Sequence, residues 1–366
     1  MATTIFTMTH KAFQVPQNPT YQPLQVGRAL HEDLGYLGDD TGDSISDLNG
    51  YYGELTGIYW LWKNYDSKDN IGVCHYRRFF MNQENQLLSG SECDEILKEH
   101  DIITSQAIQA PVPYLEYYGE AHEKKDMLLT GEVIRQLYPE DYQAFTQVMQ
   151  GRKYYFGNLM VTSREHFDQY CQWLFSIFAQ LGDQLDVSAY DEYRKRIFGF
   201  LSEELLLVWI TARNLKVYEC KIGITDEKAE TKELKLALTQ LVKNKQISEA
   251  RTLFYEVIKI RPDVALELSD IRQEFPAIEQ ILYICEEEKK RGQQGMLSIT
   301  TELPELISYH RQLTKILIKY PNWDEADKAL LKKLKVTDTA VEVVSKNNRE
   351  LQQHWQEVLL AFRNGE

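Results

Sequence analysis

The tetrapeptide His75-Tyr76-Arg77-Arg78 follows a short apolar run, residues 71–74, and its two arginines have the charge and shape to hold a diphosphate. Guanidinium meets phosphate through paired, charge-assisted hydrogen bonds. The plainer account is an exposed strand end whose arginines pair with surface acids. Glu203 and Glu204, in Gly199-Phe-Leu-Ser202-Glu203-Glu204-Leu205, are the next candidates. One would act as a general base. Alternatively both occupy the first turn of a helix capped by Ser202, where acids complement the helix dipole. His122 stands in the Tyr-rich stretch 106–126 as another base or as a bystander. Glu54 and Thr56 project from an early helix, toward a ligand or into solvent. Asp39, Asp40 and Asp43 lie in a segment of turn formers, where they would bind a divalent cation or ribose hydroxyls, or simply make the turn. No Gly-rich phosphate loop, nucleophile elbow, His-Glu-x-x-His or dinucleotide fingerprint is present.

Regular elements must bring these groups together. Leu55, Ile58, Tyr59 and Trp62 share one helical face. Gly53 and Gly57, one turn apart on that helix, would let another backbone come close. The run from Ile71 to Cys74 reads as a buried strand delivering polar residues at its carboxyl end, the usual place for a ligand in an open α/β sheet. Strands are also predicted over 5–8, 101–104, 153–162 and 216–222, with helices over 92–99, 131–150 and 167–181. Residues 106–126 read as an irregular loop over the ligand. This alternation predicts an α/β layer sandwich over 1–225. Past residue 226, Lys, Glu, Leu, Gln and Ile dominate. Helical stripes at 238–242, 250–258 and 303–318 stop near Pro262 and Pro321. Residues 226–366 are predicted to form an all-helical appendage, a degenerate tetratricopeptide-like array.

The 366 residues suffice for two domains with a sizeable core. The 43% hydrophobic and 26% charged residues argue against wholesale disorder. A formal charge of −14 argues against holding nucleic acid by bulk electrostatics, though it leaves room for a local basic pocket. The 22 tyrosines lean toward a surface that handles sugars, bases or peptides. Five scattered cysteines with no Cys-x-x-Cys pair suggest neither zinc nor a disulfide framework and fit a reducing cytoplasm. No signal peptide or membrane-spanning apolar run is visible.

Several motifs together resemble one bacterial family. They are Met8-Thr-His-Lys11, Tyr21-x-Pro-Leu-x-Val-Gly27, Gly38-Asp-Asp-Thr-Gly-Asp43-x-Ile-Ser46 and Asn49-x-Tyr-Tyr-x-Glu54-Leu-Thr-Gly57-x-Tyr-Trp60-x-Trp62-Lys-Asn64. Gly72-x-x-His75-Tyr-Arg-Arg78-x-Phe80 and Phe198-Gly-Phe-Leu-Ser-Glu203 complete the set. The resemblance spans about residues 4–225. It is to glycosyltransferase-like proteins of capsular-polysaccharide, exopolysaccharide and O-antigen biosynthesis, long catalogued as a domain of unknown function and including galactofuranosyltransferases. The resemblance implies a GT-A-like nucleotide-sugar-binding domain, with Thr9, His10 and Lys11 near the nucleotide. It also likens the strand over 156–162 to the second core strand of GT-A enzymes. Such enzymes usually carry Asp-x-Asp to hold a metal on the donor diphosphate, whereas here His75-Tyr76-Arg77-Arg78 stands in the comparable place.

The expectation is therefore a glycosyltransferase (hexosyltransferase) moving a sugar, galactose or galactofuranose among the candidates, from a UDP-sugar to a growing, lipid-linked glycan. Thr9, His10, Lys11, Asp39, Asp40, Glu54, Thr56, His75, Tyr76, Arg77 and Arg78 would bind the donor. Glu203 would be the catalytic base, with His122 as the alternative. No cofactor is firmly predicted and no metal ligand assigned. The alternative is a divalent Mn or Mg ion shared by His75 and Asp39 or Asp40. The protein is expected in the cytoplasm, in contact with the inner membrane face. Its helical domain would dock partner proteins, itself or the acceptor. A rival reading is a non-catalytic helical-repeat adaptor with a degenerate sugar- or nucleotide-binding domain.

Overall fold

The computed structural model describes residues 2–266 and 269–365, which divide into two compact units, Met1–Thr225 and Asp226–Glu366. In the first, apolar β-branched runs form one sheet. Its strands are β1 (Thr4–Thr9), β2 (Tyr21–Gln25), β3 (Leu37–Gly38), β4 (Ile71–His75), β5 (Arg78–Met81) and β6 (Ile102–Ser105). A two-stranded ribbon, β7 (Ile108–Gln109) with β8 (Lys153–Tyr154), stands apart, and β9 (Met160–Thr162) and β10 (Val217–Ile224) complete the sheet. From β3 through β2 and β1 to β4 all pairings are parallel, with Met8 opposite both Leu24 and His75. Antiparallel β9 then lies between β4 and β6, its Met160 opposite Val73 and Thr104. β10 runs parallel to β6 and antiparallel to β5.

The helices of this unit are α1 (Asn49–Tyr52), α2 (Leu55–Asn64), α3 (Gly90–Ile96), α4 (Tyr114–Ala121), α5 (Lys124–Leu137), α6 (Tyr142–Gln150), α7 (Arg164–Gly182) and α8 (Ile197–Arg213). Period-two alternation divides the sheet between two cores. Phe6, Met8, Ile71, Val73, Ile102 and Met160 face a large core shared with α2, α7 and α8. Ile5, Cys74, Phe79, Ile103 and Val161 face a smaller one with Cys93 of α3. α7 carries the expected stripe, with Phe167, Tyr170, Cys171, Leu174, Ile177, Phe178 and Leu181 all buried. Ser163 caps it by accepting the His166 N–H at 3.2 Å. α8 is apolar almost all round, as a helix sunk in a core must be.

Local predictions fail where a single residue interrupts a pattern. The helix over 49–64 is broken at Gly53, whose φ of 57° and ψ of −131° suit glycine. The helix over 131–150 is two helices, separated where Pro139 opens a short 3-10 turn. The strand over 153–162 survives only as β8 and β9, with Gly157 at φ 76° between them. Residues 106–126 are not a long irregular loop: they hold β7, α4 and the start of α5.

The second unit consists, among the described residues, of α9 (Ala229–Lys243), α10 (Ile247–Ile260), α11 (Phe275–Lys290), α12 (Leu303–Leu317), α13 (Glu325–Lys333), α14 (Asp338–Lys346) and α15 (Trp355–Asn364), with short 3-10 turns. Leu238, Val242, Ala250, Phe254, Ile278, Ile281, Leu306 and Leu313 lie in one core. Besides neighbour-to-neighbour packing, α9 meets α12 and α11 meets α14, which closes the helices around that core. Lys235 is enclosed by Glu227, Asp270 and Glu274, with Nζ at 2.6, 2.7 and 2.7 Å from their oxygens.

Candidate active site

His75 and Arg78 face each other across a tight hairpin in which Tyr76 and Arg77 form the two-residue turn. Paired residues of an antiparallel hairpin put their side chains on one side of the sheet. Since Val73 points into the large core, alternation sends His75 and Arg78 to the same side. The Arg78 guanidinium lies 4.2 Å from the Phe156 ring centroid. A Cβ on Gly157 would come within 3.2 Å of Arg78 Nη1, so the left-handed glycine makes room for it. Burial lowers the Arg78 pKa to about 10, and the Glu203 charge works against that fall. Burial, and then the charges of Arg78 and Arg77, keep the His75 imidazole neutral.

Tyr76, itself buried, gathers rings and cations around it. His75 and His10 lie 4.4 and 5.5 Å from its centroid, Lys11 Nζ 5.2 Å and Arg77 5.5 Å. Arg77 is 6% exposed, and its carbonyl accepts the Thr225 N–H at 3.0 Å, which ties the hairpin turn to the end of β10. His10 emerges at the end of β1. The residue is exposed to solvent, yet partial desolvation, then the charges of Lys11 and Arg196, lower its pKa. Thr9 is buried and serves the turn. Its hydroxyl donates to the Lys11 carbonyl at 2.5 Å and accepts the Lys11 N–H at 3.2 Å.

The acid side of the site comes from α8. This helix starts at Ile197, so Ser202 is not its cap: it is buried mid-helix, its hydroxyl donating to the Gly199 carbonyl at 2.7 Å. Glu203 and Glu204 consequently lie beyond the first turn, and the helix-dipole account of them falls. Glu203 is half-buried and accepts a backbone hydrogen bond from Gly157. Its pKa is pushed up to about 7 by burial first and by the Glu54 charge second, against the pull of Arg78, Gly157 and Arg196. Glu204 is fully buried with neither oxygen hydrogen-bonded, and burial keeps it protonated. Glu54, at the break between α1 and α2, accepts the Asn158 amide N–H at 2.9 Å and stands 4.0 Å from Arg196 Nη2.

Tyrosines occupy the other flank of Glu203. Tyr114 and Tyr118 of α4 are buried and Tyr154 of β8 is half-buried, all three within electrostatic range of Glu203. His122 follows α4 and packs its ring 4.3 Å from Phe200, 4.8 Å from Tyr118 and 5.9 Å from Tyr193. It therefore belongs to an aromatic cluster on the Tyr side.

Other expected donor residues have their polar groups engaged within the protein. Thr56 is fully buried, its hydroxyl donating to the Gly53 carbonyl and accepting from Asn49 Nδ2, both at 3.1 Å. It holds the helix break and has no exposed surface to offer a ligand. Asp39 is fully buried and accepts from Gly27 N–H (2.8 Å), Arg28 N–H (3.1 Å) and Ser46 Oγ (2.5 Å). Asp40 pairs with Arg28 at 2.6 Å, and that bond lowers its carboxyl pKa. Asp43 accepts from the Tyr59 hydroxyl. The strand order separates β3, which precedes these acids, from β4 by three strand spacings, roughly 14 Å. With their oxygens engaged at that remove, Asp39 and Asp40 do not form a shared cation site with His75. Among the described residues, the trio of acids close enough to share a metal is Glu227, Asp270 and Glu274 in the helical unit, where the Lys235 ammonium already stands.

His75, Tyr76, Arg77, Arg78, Glu54 and Glu203 thus converge, with His10 and Lys11 at the rim. His75 Nδ1, Arg78 Nε and Asn158 Oδ1 are all buried without a hydrogen-bond partner. Unsatisfied groups of this kind are rare in folded proteins, and these three belong to the hairpin and to the turn that leads into β9. Sequence reasoning missed Asn158, Phe156 and Arg196. Gly157 was the available signal for the first two, and Arg196 sits just before α8 in a stretch with no distinctive pattern.

A protein-family profile described as Domain of unknown function (DUF4422) matches residues 4–214. A solved structure titled "WbbM bifunctional glycosytransferase apo structure" is similar at 27% identity and a TM-score of 0.58. The similarity covers 62% of this chain and 46% of that one, so this chain spans under half the length of the bifunctional protein. No curated protein matches the chain. Among the described residues, no helix is long and apolar enough to cross a membrane.

Proposed function

The chain belongs to the DUF4422 family of unknown function, and from that premise we propose that it is a glycosyltransferase using a nucleoside diphosphate sugar. One juxtaposition carries the reading: half-buried Arg78, in a hairpin with buried Arg77, lies within electrostatic range of the Glu203 carboxyl, beside the orphaned atoms of His75, Arg78 and Asn158. Likeness to a bifunctional glycosyltransferase supports it. The donor diphosphate would lie at the carboxyl ends of β1 and β4, against Arg77 and Arg78. As the bond between anomeric carbon and phosphate oxygen breaks, the departing diphosphate gains negative charge, and fixed guanidinium groups stabilise charge that develops there. Glu203, ionised at and above neutral pH, takes the proton of the acceptor hydroxyl as its oxygen bonds to the anomeric carbon. The tyrosines of α4 and β8 would line the acceptor side, with His122 behind them.

The finer reading is a GT-A-like domain moving a hexose, galactose or galactofuranose foremost, from a UDP-sugar to a lipid-linked capsular, exopolysaccharide or O-antigen glycan near the inner membrane face. The antiparallel β9 between β4 and β6 supports the GT-A-like part. A divalent metal on the diphosphate does not fit the residues at this place. Arginines repel a cation, and Asp39 and Asp40 are engaged elsewhere. The test is to incubate the protein with a panel of nucleotide sugars, with and without EDTA, and follow donor hydrolysis and transfer. Slow hydrolysis that survives EDTA and is lost in Arg78→Ala and Glu203→Gln is expected. Absence of nucleotide binding by calorimetry would remove the reading.

A further inference from the structure

Arg196 differs from the two hairpin arginines in being half-exposed, its side chain 45% accessible. It is the last residue before α8, and its carbonyl accepts the Phe200 N–H, so its backbone is fixed to the helix that carries Glu203. The side chain lies over Gly53, where a Cβ would come within 3.2 Å of Nη2. The break between α1 and α2 therefore does two jobs: it frees Glu54 from a regular helix and leaves a bay for this guanidinium. Arg196 lies within electrostatic range of His10, His75 and Glu203, so one side chain spans the donor and acid sides of the site. Its contact with Glu54, at 4.0 Å, is too long for a hydrogen bond. An exposed pair of that length stabilises little and costs little to break.

We propose that Arg196 is a donor-responsive diphosphate-binding residue, which leaves Glu54 and joins Arg77 and Arg78 on the diphosphate of the bound nucleotide. The inference rests on the transferase reading and adds to it a residue and an exchange of partners. The diphosphate gains negative charge as the sugar departs, and a third guanidinium stabilises that charge where it develops. When Arg196 leaves, Glu54 keeps its bond from Asn158, whose carbonyl oxygen is the orphaned acceptor beside it. Donor binding would thus change the charge around Glu54 and Glu203 together.

The test is calorimetry on the full chain with UDP, GDP and dTDP, followed by the nucleoside of the tightest binder. Arg196→Ala should weaken the diphosphate by about 10- to 100-fold, the range for a charge-assisted hydrogen bond. The nucleoside should bind as before, and Arg196→Lys should recover part of the loss. Glu54→Gln, which removes the competing acid, should tighten the diphosphate several-fold. Undiminished diphosphate binding by Arg196→Ala, or equal weakening of diphosphate and nucleoside, would overturn the proposal while leaving the transferase reading intact. Unchanged or weaker binding in Glu54→Gln would overturn the exchange of partners. A wild-type chain that binds none of the three diphosphates would remove both.

Discussion

Glu203→Gln separates the acid's contribution to stability from its contribution to chemistry. Burial raises the Glu203 pKa from an ordinary 4.5 to about 7. A carboxyl whose folded-state pKa lies above its unfolded value favours the folded state while it is protonated. That contribution is complete below pH 4.5 and disappears as pH rises through 7. The gap corresponds to about 3 kcal/mol of folding stability lost between acid and mildly alkaline solution. Glutamine keeps an oxygen to accept the Gly157 N–H and cannot ionise. The variant should therefore match the wild type near pH 4.5 and exceed it by up to about 3 kcal/mol at pH 8. Denaturant unfolding followed by tryptophan fluorescence is the assay, since Trp60, Trp62, Trp173 and Trp209 report on the first unit. Transfer by the same variant should fall by about 100- to 10,000-fold, the usual worth of a general base. Wild-type activity should rise with pH up to about 7 and level off above it. A stability difference independent of pH, or a variant weaker at pH 8, would refute the account of Glu203 as a carboxylate held ionised against its surroundings.

Other positions give independent checks. Gly57→Ala would place a methyl 2.7 Å from Met8 Sδ and 2.8 Å from Val26 Cγ1, so thermal or urea unfolding should show a loss of about 1–3 kcal/mol. Gly157→Ala combines a left-handed backbone with pressure on Arg78. It should cost about 1–2 kcal/mol in unfolding experiments and weaken nucleotide binding in calorimetry. Thr56→Val strands the partners of a buried hydroxyl and should cost about 1–3 kcal/mol in the same unfolding assay. In the helical unit, Lys235→Met leaves Glu227, Asp270 and Glu274 without their shared cation. The helical transition should lose about 3–5 kcal/mol at pH 8 and much less at pH 4, where the acids accept protons.

The legible parts of the fold were those governed by one repeating pattern. The stripe of α7, the strands β1 and β4 and the helices of the second unit all follow from apolar periodicity. Arg78 and Glu203 were picked out by residue type, and the fold brings them within electrostatic range of each other. What stayed hidden depends on tertiary geometry. Ser202 carries the signature of a cap, yet Ile197, Phe198 and Leu201 have enough apolar surface to start the helix a turn and more earlier. Thr56 and Asp39 look like ligand groups by type, but each is consumed by backbone partners that only folding brings near. Arg196 could not be found by pattern at all, since its neighbours in space come from the ends of β1 and β4 and from the break at Gly53.

The insertion of β9 between β4 and β6 has a consequence for assembly. Every strand around the arginine hairpin finds a partner from a distant part of the chain: Val73 with Met160, Arg78 with Ile224. Such non-local pairing must close long loops before contacts compensate for the lost entropy, and it slows folding. During synthesis, β1, β2 and β4 can align early, but the residues gathered around the arginine hairpin are incomplete until β9, α8 and β10 have emerged. A nascent chain halted ahead of β10 would expose a basic, half-built cleft and an unpaired β5 edge. That edge would be open to misassociation until β10 pairs with it.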